Sequence, residues 1–170
     1  MTLGSAVRRR LRERAAQRGG YTFVEILVVT TILLVLASVA IPLAQVTAQR
    51  YREAELRRAL RDMRTAIDRY KDAADQGVIA KTEMKANSEN YPPDLETLVE
   101  GVVMSNDATG RKLRFGLRRI PIDPMTGTIE WGMRSYQDEP DSRSWGKQNV
   151  FDVYTTSEAT ALDGTKYSDW

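Results

Sequence analysis

The sequence predicts an α+β protein. One long N-terminal helix, transmembrane in its first part and amphipathic in its second, packs on a small antiparallel β-sheet with a short extra helix and a C-terminal loop. Three observations carry this expectation. Residues 26–49 are 24 consecutive positions without a charge. From Leu56 the apolar residues fall into a helical repeat along one face. Beyond residue 91 the pattern breaks into short segments punctuated by Pro and Gly, two of them strand-like. At 170 residues the chain has room for one modest domain and an anchor. The expected division is a basic leader at 1–20, an apolar helix at 21–49, its amphipathic continuation at 50–76 and a globular part at 77–170.

The leader holds six Arg and one Glu, a net of +5 against +2 for the whole chain, which leaves −3 on the remainder. A basic segment abutting an apolar helix marks the cytoplasmic side of a membrane. Arg clusters also bind nucleic acid, but this one adjoins a membrane helix, and no nucleic-acid partner is expected.

Residues 21–75 read as one helix. At about 1.5 Å per residue the uncharged run spans roughly 36 Å, enough for a hydrocarbon core of about 30 Å. Pro42 lies inside it, lacks an amide proton and crowds the carbonyl four residues back, which predicts a kink or an unwound stretch near residues 38–42. Leu56, Leu60, Met63, Ile67, Tyr70 and Ala74 then follow at steps of 4, 3, 4, 3 and 4, which places them on one face. Arg52, Glu53, Glu55, Arg58, Arg61 and Asp62 are assigned to the other face, and Gly77 suits the helix end. The apolar stripe requires a globular cover, which the rest of the chain must supply.

Residues 78–90 are polar and aperiodic, and read as a loop. The segment 91–101 reads as a short helix opened by proline, acidic in its first turn and closed by Gly101, with Leu95, Leu98 and Val99 on its inner side. Residues 118–127 are turn-rich. Strands are expected at 128–136 and 150–155, with a long polar loop at 137–147 between them. The tail, 156–170, is loop-like, with Tyr167 and Trp170 placed to pin it.

Composition narrows the chemistry. The chain has no Cys and no His, so disulfides, thiolate nucleophiles, the commonest general base and most zinc sites are excluded. An enzyme would have to work through carboxylates or Lys. Glu96 and Glu100, four apart on the short helix, read as a solvated face rather than a catalytic pair. Trp131, Tyr136 and Trp145 read as core and loop anchors rather than a stacking platform.

The junction Arg18-Gly19-Gly20-Tyr21-Thr22-Phe23-Val24-Glu25 is the most specific stretch. Glu25 is a carboxylate at the edge of an uncharged run, and is costly in lipid unless something pairs with it. The Gly pair precedes the apolar run, whereas an ordinary secretory signal is cut after it. With Pro42 downstream, the pattern resembles the class III signal of type IV pilins and type II secretion pseudopilins. The resemblance implies that a prepilin peptidase cuts between Gly20 and Tyr21, and that Tyr21 becomes the N-methylated first residue. It also places Glu25 on the family's glutamate and Pro42 on its helix-kinking proline. Tyr for the commoner Phe at the new N-terminus, and Phe23-Val24 for a Leu-Ile pair, are small departures.

Further along, Tyr91-Pro92 with Leu95 and Leu98, Pro121-Ile122-Asp123-Pro124, Phe151-Asp152-Val153 and Asp169-Trp170 make the layout similar to the G-type major pseudopilin of type II secretion systems. The family's Trp-Gly after Asp-Pro is replaced by Met125-Thr126-Gly127, and the 137–147 loop is longer than usual.

This resemblance implies a structural subunit, not an enzyme. Such a chain is held by a single span in a bacterial inner membrane with its globular part in the periplasm. It polymerises as a helical homo-oligomer into a periplasmic pseudopilus for protein secretion. Its partners would be the prepilin peptidase, an inner-membrane assembly platform and minor pseudopilins. An ATPase in trans would supply energy, since the chain has no phosphate-binding loop. Glu25 would pair with the N-terminal amine of a neighbouring subunit. The family's C-terminal loop also holds calcium, here through Glu158, Asp163 and Asp169 with carbonyls near Leu162 and Thr165; Asp163-Gly164 reads equally as a turn. The alternatives are a type IV pilus subunit for adhesion, motility or DNA uptake, and a signal-anchored periplasmic enzyme.

Overall fold

The computed structural model describes residues 20–105 and 109–170. Apart from Gly20, the expected leader lies outside the described residues. The first element, α1 (Phe23–Asp75), is a helix of 53 residues. Thr22 caps it: its hydroxyl accepts the amide of Glu25 at 3.2 Å, which satisfies one of the free N–H groups of the first turn. Of the two outcomes expected at Pro42, unwinding does not occur, because the helix runs unbroken through it. Proline deletes only the bond its own amide would make to Ser38, and a long helix of strong apolar formers absorbs that loss.

The few hydroxyls of the apolar segment bond within the helix. Thr30 and Thr31 donate to the carbonyls of Ile26 and Leu27, both at 2.8 Å, and Ser38 donates to Val35 at 2.7 Å. Every large apolar side chain from Tyr21 to Leu43 is exposed. The helix is long and apolar enough to cross a membrane. The chain divides between Gln45 and Val46 into two units.

In the second unit the predicted stripe is the core. Leu56, Leu60, Met63, Ile67 and Tyr70 are at most 2% exposed. They pack with Ile79, Leu98, Val102, Phe115, Trp131, Val150 and Val153, each such side chain contributing about 1.5–3 kcal/mol on burial. Gly77, at φ +68°, ends α1 as expected. The amide of Val78 donates to Ala73 and that of Gly77 to Ala74, both at 3.0 Å, the paired closure that needs a left-handed residue at this position.

The short helix α2 (Leu95–Glu100) starts later than the sequence indicated. Asp94 caps it, accepting the amide of Thr97 at 2.8 Å and its hydroxyl at 2.6 Å. The prolines therefore precede the helix rather than open it. A hairpin that the sequence did not announce follows, with β1 (Val102–Val103) antiparallel to β2 (Lys112–Leu113). Next, β3 (Gly132–Arg134) pairs antiparallel with β4 (Asp152–Tyr154), Met133 facing Val153.

The β structure is thus two two-stranded sheets rather than one. The two anticipated strands are also cut to three residues each, because side chains take the amides that a longer ladder would use. Asp138 accepts the amide of Ser135 at 2.7 Å and Asn149 that of Tyr136 at 2.9 Å.

Candidate functional site

The N-terminal junction is built from very little. Gly20 is exposed, and a Cβ added there would meet nothing within 4 Å. Nothing in the described chain requires glycine at this position, so any requirement is imposed from outside. Tyr21 is 77% exposed. Thr22 and Glu25 have the spacing of a capping box, in which Thr caps the first turn and Glu reaches back to the amide of the cap. Only the threonine half forms. The Glu25 carboxylate makes no hydrogen bond or ion pair with any described residue. It stands in the first turn, where the helix dipole favours an anion, among exposed Phe23, Val24 and Ile26. Pro42 lies 17 residues further along the same exposed helix.

The C-terminal residues expected to bind calcium are spread among separate partners. Asp163 Oδ1 accepts the amide and hydroxyl of Thr165 at 2.9 and 2.6 Å, and its Oδ2 lies 3.7 Å from Arg57. Those Thr165 donors hold the Asp163 carboxyl below the usual carboxylate range. Glu158 faces Lys166 at 3.7 Å, and Asp169 faces Arg143 at 3.1 Å. Leu162 directs its amide to Glu53. Gly164, at φ +87°, donates to Ala161 at 3.0 Å, so Asp163-Gly164 forms a turn. Calcium needs six to eight converging oxygens. Among the described residues no three acidic side chains group closely enough to hold a metal ion, and this arrangement does not fit one.

Glu53 instead holds the tail. Its Oε1 accepts the amide of Leu162 and the hydroxyl of Tyr167, both at 2.9 Å, and the amide of Gln49 at 3.4 Å. Burial pushes the Tyr167 phenol up. The assignment of Glu53 to the polar face is therefore corrected. The signal was in the spacing: Gln49 and Glu53 continue the buried stripe backwards from Leu56 at the same steps of 3 and 4. Trp170 completes the closure, its ring under the Arg57 guanidinium at 4.2 Å and its indole donating to Thr165 at 2.8 Å.

The remaining candidates are structural. Glu96 and Glu100 are exposed. Trp131 is buried and donates to Pro121 at 2.9 Å, and Trp145 donates to Asn149 at 2.7 Å. Tyr136 is exposed and stacks on Tyr91 at 5.9 Å. Asp123 of the Pro-Ile-Asp-Pro turn is fully buried, accepting the amide of Met125 at 2.8 Å and the hydroxyl of Thr155. Comparison of the chain with protein-family models, with curated proteins and with solved structures finds no match.

Proposed function

We propose that this chain is a filament subunit of the pseudopilin kind, anchored in a bacterial inner membrane and assembled on its periplasmic side. One observation supports the reading above others: a carboxylate, Glu25, bonded to no described residue, in the first turn of an exposed apolar helix, five residues after Gly20. In a lone subunit this carboxylate sits near the membrane surface, where water solvates it. In a bundle of such helices it would be dry, and burying it alone would cost several kcal/mol. Cleavage after Gly20 creates a second charge, the amine of Tyr21, at the same level of a neighbouring helix. Each incoming subunit that seats its amine against a Glu25 removes two unpaired charges at once. The pair acts as a check on register more than as net stabilisation. Contact between apolar helices supplies the remainder, and the 46–170 unit is carried along as cargo-facing surface.

A surface pilus subunit would share this N-terminal logic. The absence of Cys from the sequence favours the periplasmic filament, since pilins often close the C-terminal loop with a disulfide.

The test is Glu25→Leu in the full chain, expressed with its peptidase and assembly machinery. Membrane insertion is expected to be intact and filaments to be lost. Normal filament yield from this variant would exclude the proposed role.

A further inference from the structure

The second unit leaves a groove open along the outer side of α1. Its volume is about 870 Å³, and residues of α1 and of the 115–122 segment line it. Tyr51 and Ile122, 75% and 57% exposed, form its apolar part. Arg118 and Arg119 stand on its rim, both exposed and making no hydrogen bond or ion pair with any described residue. The wall is set by Arg69, which donates to the carbonyl of Phe115 at 3.3 Å. Gly116, at φ +92°, leaves room for it, since a Cβ there would lie 2.4 Å from the guanidinium. The α1 wall also carries Glu55 and an Arg58–Asp62 pair at 3.9 Å, so the excess positive charge is confined to the Arg118–Arg119 rim beside Ile122, and it is this rim that calls for an acidic, partly apolar partner.

The same chain presents such a partner. Glu139-Pro140-Asp141 forms an exposed corner of the 137–147 loop, and neither acidic side chain is bonded to a described residue. The corner is rigid. Asp138 accepts the amides of Ser135 at 2.7 Å and Gly146 at 3.0 Å. Arg134 donates to the carbonyl of Ser142 at 2.9 Å, and the amide of Ser142 donates to Glu139 at 2.9 Å. At the base, fully buried Asn149 accepts the amide of Tyr136 and donates to Gln137 at 3.0 Å. A corner already fixed in this way loses little conformational freedom on docking.

We propose that the groove bordered by Arg118 and Arg119 receives the Glu139-Pro140-Asp141 corner of a second copy of this chain. This rests on the filament reading above and names a contact within it. Two cations and two anions, none of them bonded to a described residue, match each other, and Pro140 offers the groove an apolar contact between the anions. The two surfaces are different patches of the chain, so the contact is heterologous, and repeating it gives a ring where the rotation closes and an open helical series, as a filament requires, where it does not. Charges at such a rim chiefly set register and reject wrong partners.

The experiment uses three full-length variants, compared for fold by circular dichroism and for filament yield by sedimentation and electron microscopy. Arg118→Glu with Arg119→Glu, and separately Glu139→Arg with Asp141→Arg, are each expected to lower yield about tenfold, equivalent to about 1.4 kcal/mol per contact. The quadruple variant, which exchanges the charges of the two surfaces, is expected to recover most of the wild-type yield. Wild-type yield from both double variants would overturn the contact and leave the filament reading standing. So would loss at the groove variant alone, which would assign the groove another occupant, or a folded quadruple variant that stays defective. No filament from the wild type under any condition would remove both readings.

Discussion

At the scale of single residues, Tyr70 is the one buried side chain among the described residues that the fold leaves unsatisfied. Its ring is fully buried against Phe115, 5.1 Å between centroids, and its hydroxyl has no hydrogen-bond partner among the described residues. Burial, with Glu83 and Asp94 nearby, pushes its pKa up to about 12. A raised phenol pKa means that the folded state holds the proton more tightly than the unfolded chain does. Its effect is therefore absent below about pH 10 and becomes a loss of stability as pH rises from 10 towards 12. Tyr70→Phe removes the stranded hydroxyl while keeping the ring. It is expected to be neutral or to stabilise the protein by about 1 kcal/mol at pH 7, and to flatten the alkaline loss. Thermal melts of both proteins at pH 7 and pH 11 measure this. A clear destabilisation at pH 7 would show that the hydroxyl has a partner.

At the scale of elements, Glu53 ties α1 to the C-terminal tail. Three donors from α1 and the tail converge on its carboxylate. Glu53→Ala is expected to cost about 1–3 kcal/mol and to release residues 159–170 to proteolysis, read by thermal melting and limited digestion. Because the carboxylates of the tail already have partners, adding or chelating calcium is expected to leave the wild-type midpoint unchanged. A midpoint that rises with calcium would show that the loop re-forms around the ion.

These same elements mark how far the sequence could be read. The long helix and its buried stripe are legible because the repeat of 3 and 4 from Leu56 to Ala74 is a strong periodic signal, and Gly77 punctuates its end. Glu53 is hidden because its charge points to the polar face while its spacing continues the stripe. The strand limits and the β1–β2 hairpin were not legible. The end of β3 depends on Asp138 and Asn149 capturing the amides of Ser135 and Tyr136, and the hairpin is only two residues per strand, too short for an alternating pattern. Glu25 stands out in the sequence because a lone carboxylate beside an uncharged run is costly in lipid, and the structure leaves it bonded to no described residue. The calcium ligands rest on the resemblance to the family's C-terminal loop, and here Glu158, Asp163 and Asp169 each face a different cation.

At the scale of the whole molecule, the account joins two parts with opposite needs. The 46–170 unit satisfies its own core and closes its own tail. The large apolar side chains of α1 from Tyr21 to Leu43 are exposed, and Glu25 is bonded to no described residue. Lipid covers the first deficit but not the second. On the proposed reading, a neighbouring helix with its amine would cover both, and a cut between Gly20 and Tyr21 would create that amine. The most direct test is the intact mass and N-terminal sequence of the protein recovered from membranes of cells with an active prepilin peptidase. The account predicts a chain of 150 residues that starts at Tyr21 and carries one added methyl group. A chain that still starts at Met1 in those cells would contradict it.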